Sequence, residues 1–133
     1  MADPLTDADF ATLAGFRHAL RRFLQFSVEA AAGVGLTSQQ HQALLAIRAS
    51  EGREMLIGAL AEKLMLRPHS ATELLNRVEK LGLISRAAGE TDRRQVAVRL
   101  TAKGEQLLNG LSEAHRAELR RLKPLLSELM AKL

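Results

Sequence analysis

The sequence predicts a mainly α chain with one small β-hairpin, arranged as a winged helix-turn-helix with a long helical segment at each end. Three observations carry that prediction. Between Ile57 and Gly104, two short helical patterns precede a pair of strand-like runs with a charged tip, and a capped helix follows. Outside that stretch, apolar residues recur at spacings of three and four, the stripe of an amphipathic helix. Internal repeats and low-complexity tracts are absent, so the 133 residues read as one domain with its winged region at 35–101 and helical regions at 5–32 and 102–133.

Taken in order, Phe10, Leu13, Phe16, Leu20, Phe23, Leu24 and Val28 form the first stripe. Thr6 or Asp7 is placed to cap its start, and Gly33 and Gly35 to end it. Thr37 then opens a second helix through a capping box, its hydroxyl accepting from the Gln40 amide while the Gln40 side chain reaches back. That helix carries Leu44, Leu45 and Ile47 and stops near Ser50, before the turn Glu51-Gly52-Arg53. Glu54-Met55-Leu56 is suited to a third small strand beside the hairpin. A helix over Ile57–Leu64 and one opening at Arg67-Pro68 and running to Leu81 follow, the proline needing no donor at the first helical position. Strands Leu83–Ala87 and Val96–Leu100 flank a tip at 88–95. Thr101 begins the last long pattern, with Leu107, Leu108, Leu111, Leu119 and Leu122 on its stripe. Pro124 removes a backbone donor there, which predicts a break or kink and a short final helix to Leu133.

Composition narrows the function. The net charge is +4, and residues 53–103 alone hold ten Lys/Arg against six Asp/Glu, so the whole excess sits on the winged region. With no cysteine, disulfides, thiolate metal sites and thiol redox switching are excluded. His18, His41, His69 and His115 lack metal-ligand spacing, and neither a metal nor another cofactor is expected. No apolar run approaches the ~20 residues of a membrane span. Met1-Ala2-Asp3-Pro4 is acidic and leads into no signal-type core, so the chain is expected to be soluble, cytoplasmic and without a membrane partner. The absence of Trp and Tyr argues against stacking platforms for single strands. A helix-turn-helix followed by an arginine-tipped hairpin instead fits duplex DNA, the helix in the major groove and the tip in the narrow minor groove.

Leu36-Thr37-x-x-Gln40, Leu60-Ala61-Glu62-Lys63-Leu64, the run Asn76–Ile84, and Asp92-Arg93-Arg94 followed by Val98-Arg99-Leu100-Thr101-x-Lys103-Gly104 resemble the MarR family of bacterial transcriptional regulators. The resemblance covers about Leu5 to Leu122. It implies a homodimeric winged helix-turn-helix regulator, a repressor or activator, that binds a pseudo-palindromic operator and is often released by a small ligand. On the matching positions, His69, Ser70, Thr72, Glu73 and Asn76 face the groove, with Arg67 and Arg77 placed for phosphate. Glu73 either pairs with Arg77 along the helix or accepts from a cytosine amino group. Arg94 best matches the minor-groove arginine and Arg93 is second, while Asp92 orients an arginine or ties down the wing. Met65 stands where such turns frequently have glycine, and is read as a buried anchor.

Two apolar terminal segments are more than a small winged domain covers alone. They either interlock with a second copy around a two-fold axis or pack on each other within one chain. Two-fold DNA recognition favours the first, with Phe10, Leu13, Phe16, Leu20, Leu119, Leu122, Leu125 and Leu129 at the dimer interface. Arg17, His18, His41 and His115 are the polar residues expected near a ligand pocket, where each receives an anionic small-molecule effector or satisfies a core hydrogen bond. Beside the DNA-binding regulator stands an alternative, a winged-helix adaptor for other proteins. No nucleophile-base set, phosphate-binding glycine loop or paired-acid motif supports an enzyme.

Overall fold

The structure is a computed structural model and describes residues 3–88 and 95–133. Helix α1 (Asp7–Gly33) opens with a reciprocal box in which the Thr6 hydroxyl accepts from the Asp9 amide and the Asp9 carboxylate accepts from the Thr6 amide. Of the two glycines expected to end it, Gly33 and Gly35, only Gly35 is left-handed (φ 79°); there the Leu36 amide reaches the Ala31 carbonyl and the Gly35 amide reaches Ala32, closing the helix. Helix α2 (Ser38–Ala49) carries the expected Thr37/Gln40 box at 3.1 and 3.0 Å. A 3₁₀ turn at Glu51–Arg53 leads to β1 (Glu54–Leu56), α3 (Ile57–Lys63), α4 (Pro68–Lys80), β2 (Ile84–Ala88), β3 (Val96–Leu100) and α5 (Ala102–Ala131).

The strands form an antiparallel sheet in the order β1-β3-β2, with Met55 opposite Val98 and Ser85 opposite Arg99. Glu54-Met55-Leu56 is thus the third strand that its sequence suggested. The first strand of the hairpin begins at Ile84 rather than Leu83, because Leu83 is buried and its carbonyl accepts from the Thr101 amide at 3.0 Å. Leu44, Ile47, Leu60, Leu75, Val78, Leu83 and Val98 are the largest fully enclosed side chains, and Leu108 and Leu111 of α5 pack against them. Each such side chain stabilises the fold by about 1.5–3 kcal/mol relative to exposure.

The Thr101-Ala102-Lys103-Gly104 motif fastens α5 to the turn after α4. The Thr101 hydroxyl donates to the Gly82 carbonyl and accepts from the Gly104 amide, while Lys103 Nζ donates to the Leu81 carbonyl. Gly104 then lies so close to the Leu83 carbonyl that a β-carbon would overlap it.

Two expectations are corrected. Helix α5 does not break at Pro124 but runs through to Ala131. The proline deletes only the bond to the Arg120 carbonyl, and both residues are exposed, so water takes that carbonyl. Packing against α1 holds both halves in line: Leu122 is buried before the proline, and Leu129 meets Gly15 after it. Met65 is not a buried anchor. It is 93% exposed and left-handed (φ 55°), the Leu66 amide bonding to Ala61 and the Met65 amide to Glu62. Met65 therefore occupies the position glycine prefers at a helix C-terminus, with its side chain in solvent.

Candidate nucleic-acid interface and ligand cavity

Helix α4 turns Ala71, Leu74, Leu75 and Val78 into the core and leaves His69, Ser70, Glu73, Asn76 and Arg77 exposed. The sequence-predicted reading residues are thereby brought onto one outward face, with Arg67 exposed just before it. Their local bonding differs from expectation. Glu73 pairs with His69 (3.4 Å), one turn back, rather than with Arg77. Thr72 is half-buried and its hydroxyl donates to the Pro68 carbonyl at 3.0 Å. Arg67 supplies no side-chain cap, so the amides of His69 and Ser70 at the helix start remain open to an anion. Asp92, Arg93 and Arg94 lie outside the described residues.

Sequence reasoning missed Arg86. From β2 its guanidinium donates to Asn76 Oδ1 (2.5 Å) and lies 3.4 Å from Glu79 Oε1, so it spans one turn of α4 from the base of the hairpin. Strand alternation offered the signal, since Arg86 shares a face with the buried Ile84 and must find partners there. Across the sheet Arg99 pairs with Glu54 at 2.9 Å, fixing β3 to β1.

A second site lies among α1, α2 and α5: an open cavity of about 740 Å³. Phe23, Leu24, Leu45, Leu119, Leu126 and Met130 give it apolar walls, and Arg116, Arg120 and Lys123 line it with positive charge; among the described residues no acidic side chain lines it. His41 and His115 meet at its edge with rings 4.7 Å apart. A carbonyl only accepts, so His115 Nδ1 carries the proton that it gives to Leu111 (2.6 Å), and Nε2 shares a hydrogen bond with the Ser27 hydroxyl (2.8 Å). Phe23 and Phe26 contact the same ring edge-on. His41 is buried, and its Nδ1 has no hydrogen-bond partner among the described residues. Burial, and secondarily repulsion from His115, hold the His41 imidazole below its ordinary pKa. Arg17 and His18 are exposed on α1 away from this cavity and do not line it.

Of the apolar residues expected at a dimer interface, Phe10, Leu13, Leu20, Leu119 and Leu125 are exposed between 41 and 58%. Phe16 and Leu129 are half-buried, and Leu122 is buried by the chain itself where α1 packs on α5. The terminal helices thus pack on each other within the chain and still leave an apolar face open.

The MarR family model matches residues 34–95. The uncharacterized HTH-type transcriptional regulator YfiV of Bacillus subtilis is 38% identical over 71 residues, which are 53% of this chain and 44% of YfiV. The chain spans about half the length of the curated relatives that it matches. Among solved structures, the transcriptional regulator PA4135 aligns with 98% of this chain and 90% of its own, at 28% identity and a TM-score of 0.68. AbsC, a MarR family regulator from Streptomyces coelicolor, shares the fold over 98% of this chain and 99% of its own, at 23% identity and a TM-score of 0.72. No helix among the described residues is long and apolar enough to cross a membrane. The chain is thus similar to the MarR family over its winged core, and it shares its fold end to end with regulators of known structure.

Proposed function

We propose that this protein is a sequence-specific double-stranded DNA-binding transcriptional regulator, a cytoplasmic homodimer that represses at a pseudo-palindromic operator and is released by a small ligand. The observation that carries the reading is the outward face of α4, which presents His69, Ser70, Glu73, Asn76 and Arg77 on a helix whose other face is locked in the core. Its open N-terminal amides suit a phosphate, and its side chains suit base edges in the major groove. Arg93 and Arg94 are assigned to the minor groove, with Asp92 orienting them. The exposed apolar residues of α1 and α5 support a two-fold dimer. The basic, apolar-walled cavity supports an effector with an apolar body and an anionic group.

Fluorescence anisotropy tests the reading, with labelled duplex from the gene's own upstream region beside a scrambled duplex of equal composition. Binding that prefers the upstream duplex, weakens steeply with salt and is reduced by Arg94→Ala is expected. Equal binding to both duplexes that survives the substitution would leave only charge attraction and favour a winged-helix adaptor.

A further inference from the structure

We infer that Arg86 sets the base specificity of the reading helix by holding the Asn76 amide in one orientation. This rests on the DNA-reading role proposed above.

The guanidinium is donor-only, so the atom facing it at 2.5 Å is Oδ1, and the Nδ2 hydrogens are turned the other way. Arg86 is itself well fixed. Its Nε is buried without a hydrogen bond among the described residues but lies 3.4 Å from Glu79 Oε1, and strand pairing places Arg86 opposite Val98 at the centre of β2, an edge strand. An unconstrained asparagine reads adenine with a two-pronged contact, Oδ1 accepting from N6 and Nδ2 donating to N7. With one Oδ1 lone pair engaged by Arg86 and the amide held in that orientation, the fork is weakened. The Nδ2 donors then dominate what Asn76 offers the groove; they match the adjacent O6 and N7 acceptors of guanine and oppose the N6 amino group of adenine. Arg86 is thus a positioning residue: it acts through Asn76 and touches no base.

The test selects preferred sites from a randomised duplex pool for wild type and four variants, with a thermal melt of each. Asn76→Ala identifies the position read, as the one base pair that becomes degenerate. At that position wild type selects guanine over adenine. Arg86→Met frees the amide and swings the preference toward adenine by on the order of tenfold. Arg86→Lys, which keeps the charge without the two-partner span, shifts it in the same direction. Asn76→Asp keeps the bond to Arg86 and removes the donors. It melts no lower than wild type yet loses the guanine preference, which a merely structural pair would not do, and this holds even if Arg86→Met fails to fold.

The inference is overturned if Asn76→Ala leaves every position unchanged, or if wild type selects adenine there. It is also overturned if the Arg86 variants weaken all duplexes by one factor without altering the selected base. A wild type with no sequence preference at any position fails the DNA-reading role itself.

Discussion

Adding one methyl group at Gly104 should cost this fold more than any other glycine-to-alanine change in the described chain. The new β-carbon would sit 2.1 Å from the Leu83 carbonyl oxygen and 3.1 Å from its carbon, and both obstacles are backbone. Relief requires α5 and the Leu83 segment to part by about 1 Å, since ordinary contacts begin above 3 Å. That parting strains the Thr101 amide bond to Leu83 (3.0 Å) and the Lys103 bond to Leu81 (3.0 Å). Two hydrogen bonds at about 1 kcal/mol each, with about 1–3 kcal/mol of overpacking, outweigh the gain of up to ~1 kcal/mol from alanine's helix propensity. The net loss is about 2–4 kcal/mol, or roughly 10 °C in Tm for a domain of this size. Gly110, on the same helix, has nothing within 4 Å of its would-be β-carbon. Gly110→Ala should therefore stabilise by about 0.8–1 kcal/mol, the opposite sign for the same chemical change. With no Trp or Tyr in the chain, far-UV circular dichroism is the natural readout of melting, at one fixed protein concentration. A Gly104→Ala protein that melts at or above the wild-type temperature would refute the close approach between α5 and the Leu83 turn.

Met65→Gly should raise stability by about 0.5–1 kcal/mol in urea titration, because it relieves a left-handed residue whose side chain packs on little; a loss would mean that the methionine makes contacts in solution. Since the folded His41 resists protonation, the unfolded chain takes the proton first, so stability is full above about pH 6.5 and falls as pH drops below it. The slope should not exceed about 1.4 kcal/mol per pH unit, and His41→Gln should flatten it; an unchanged profile would assign the dependence to other groups. Leu119→Glu and Leu125→Glu should shift sedimentation-equilibrium mass from two chains to one while preserving the circular dichroism spectrum. A wild type of one-chain mass at all concentrations would overturn the proposed homodimer.

Local rules were the most legible part of the fold. The Thr37/Gln40 box is fixed by residues three apart, and the α4 start by a proline that needs no donor, so both could be placed without knowing what surrounds them. Pro124 and Met65 misled for a shared reason: each obeys a rule about isolated segments that tertiary context overrode. Pro124 loses one solvent-facing bond within a helix clamped on either side by α1. Met65 accepts an unfavourable dihedral where the chain must turn between α3 and α4. Helix phase explains the cavity. Phe23, Leu24 and Ser27 point into it, whereas Arg17 and His18 fall on other faces of the same helix. His41 and His115 met because two different helices carry them, a pairing that spacing along the chain does not encode. Arg86 was hidden likewise, its partners lying seven and ten residues away on another element.

The uninterrupted α5 gives the molecule a mechanical property. Thirty residues at about 1.5 Å each make a rod of roughly 45 Å, anchored at one end by the Thr101–Gly104 fastening beneath the hairpin. Ser112 on the cavity wall stands about 16 Å along that rod from Thr101. Wedging α1 and α5 apart at the cavity by an angle of about 10° would swing the fastened end through about 3 Å, nearly the rise of one base pair along duplex DNA. A helix hinged at Pro124 would leave the far tail free of that motion; an unhinged one carries Leu125, Leu129 and the face they belong to in the opposite sense, so leverage at the cavity is felt at both extremities together.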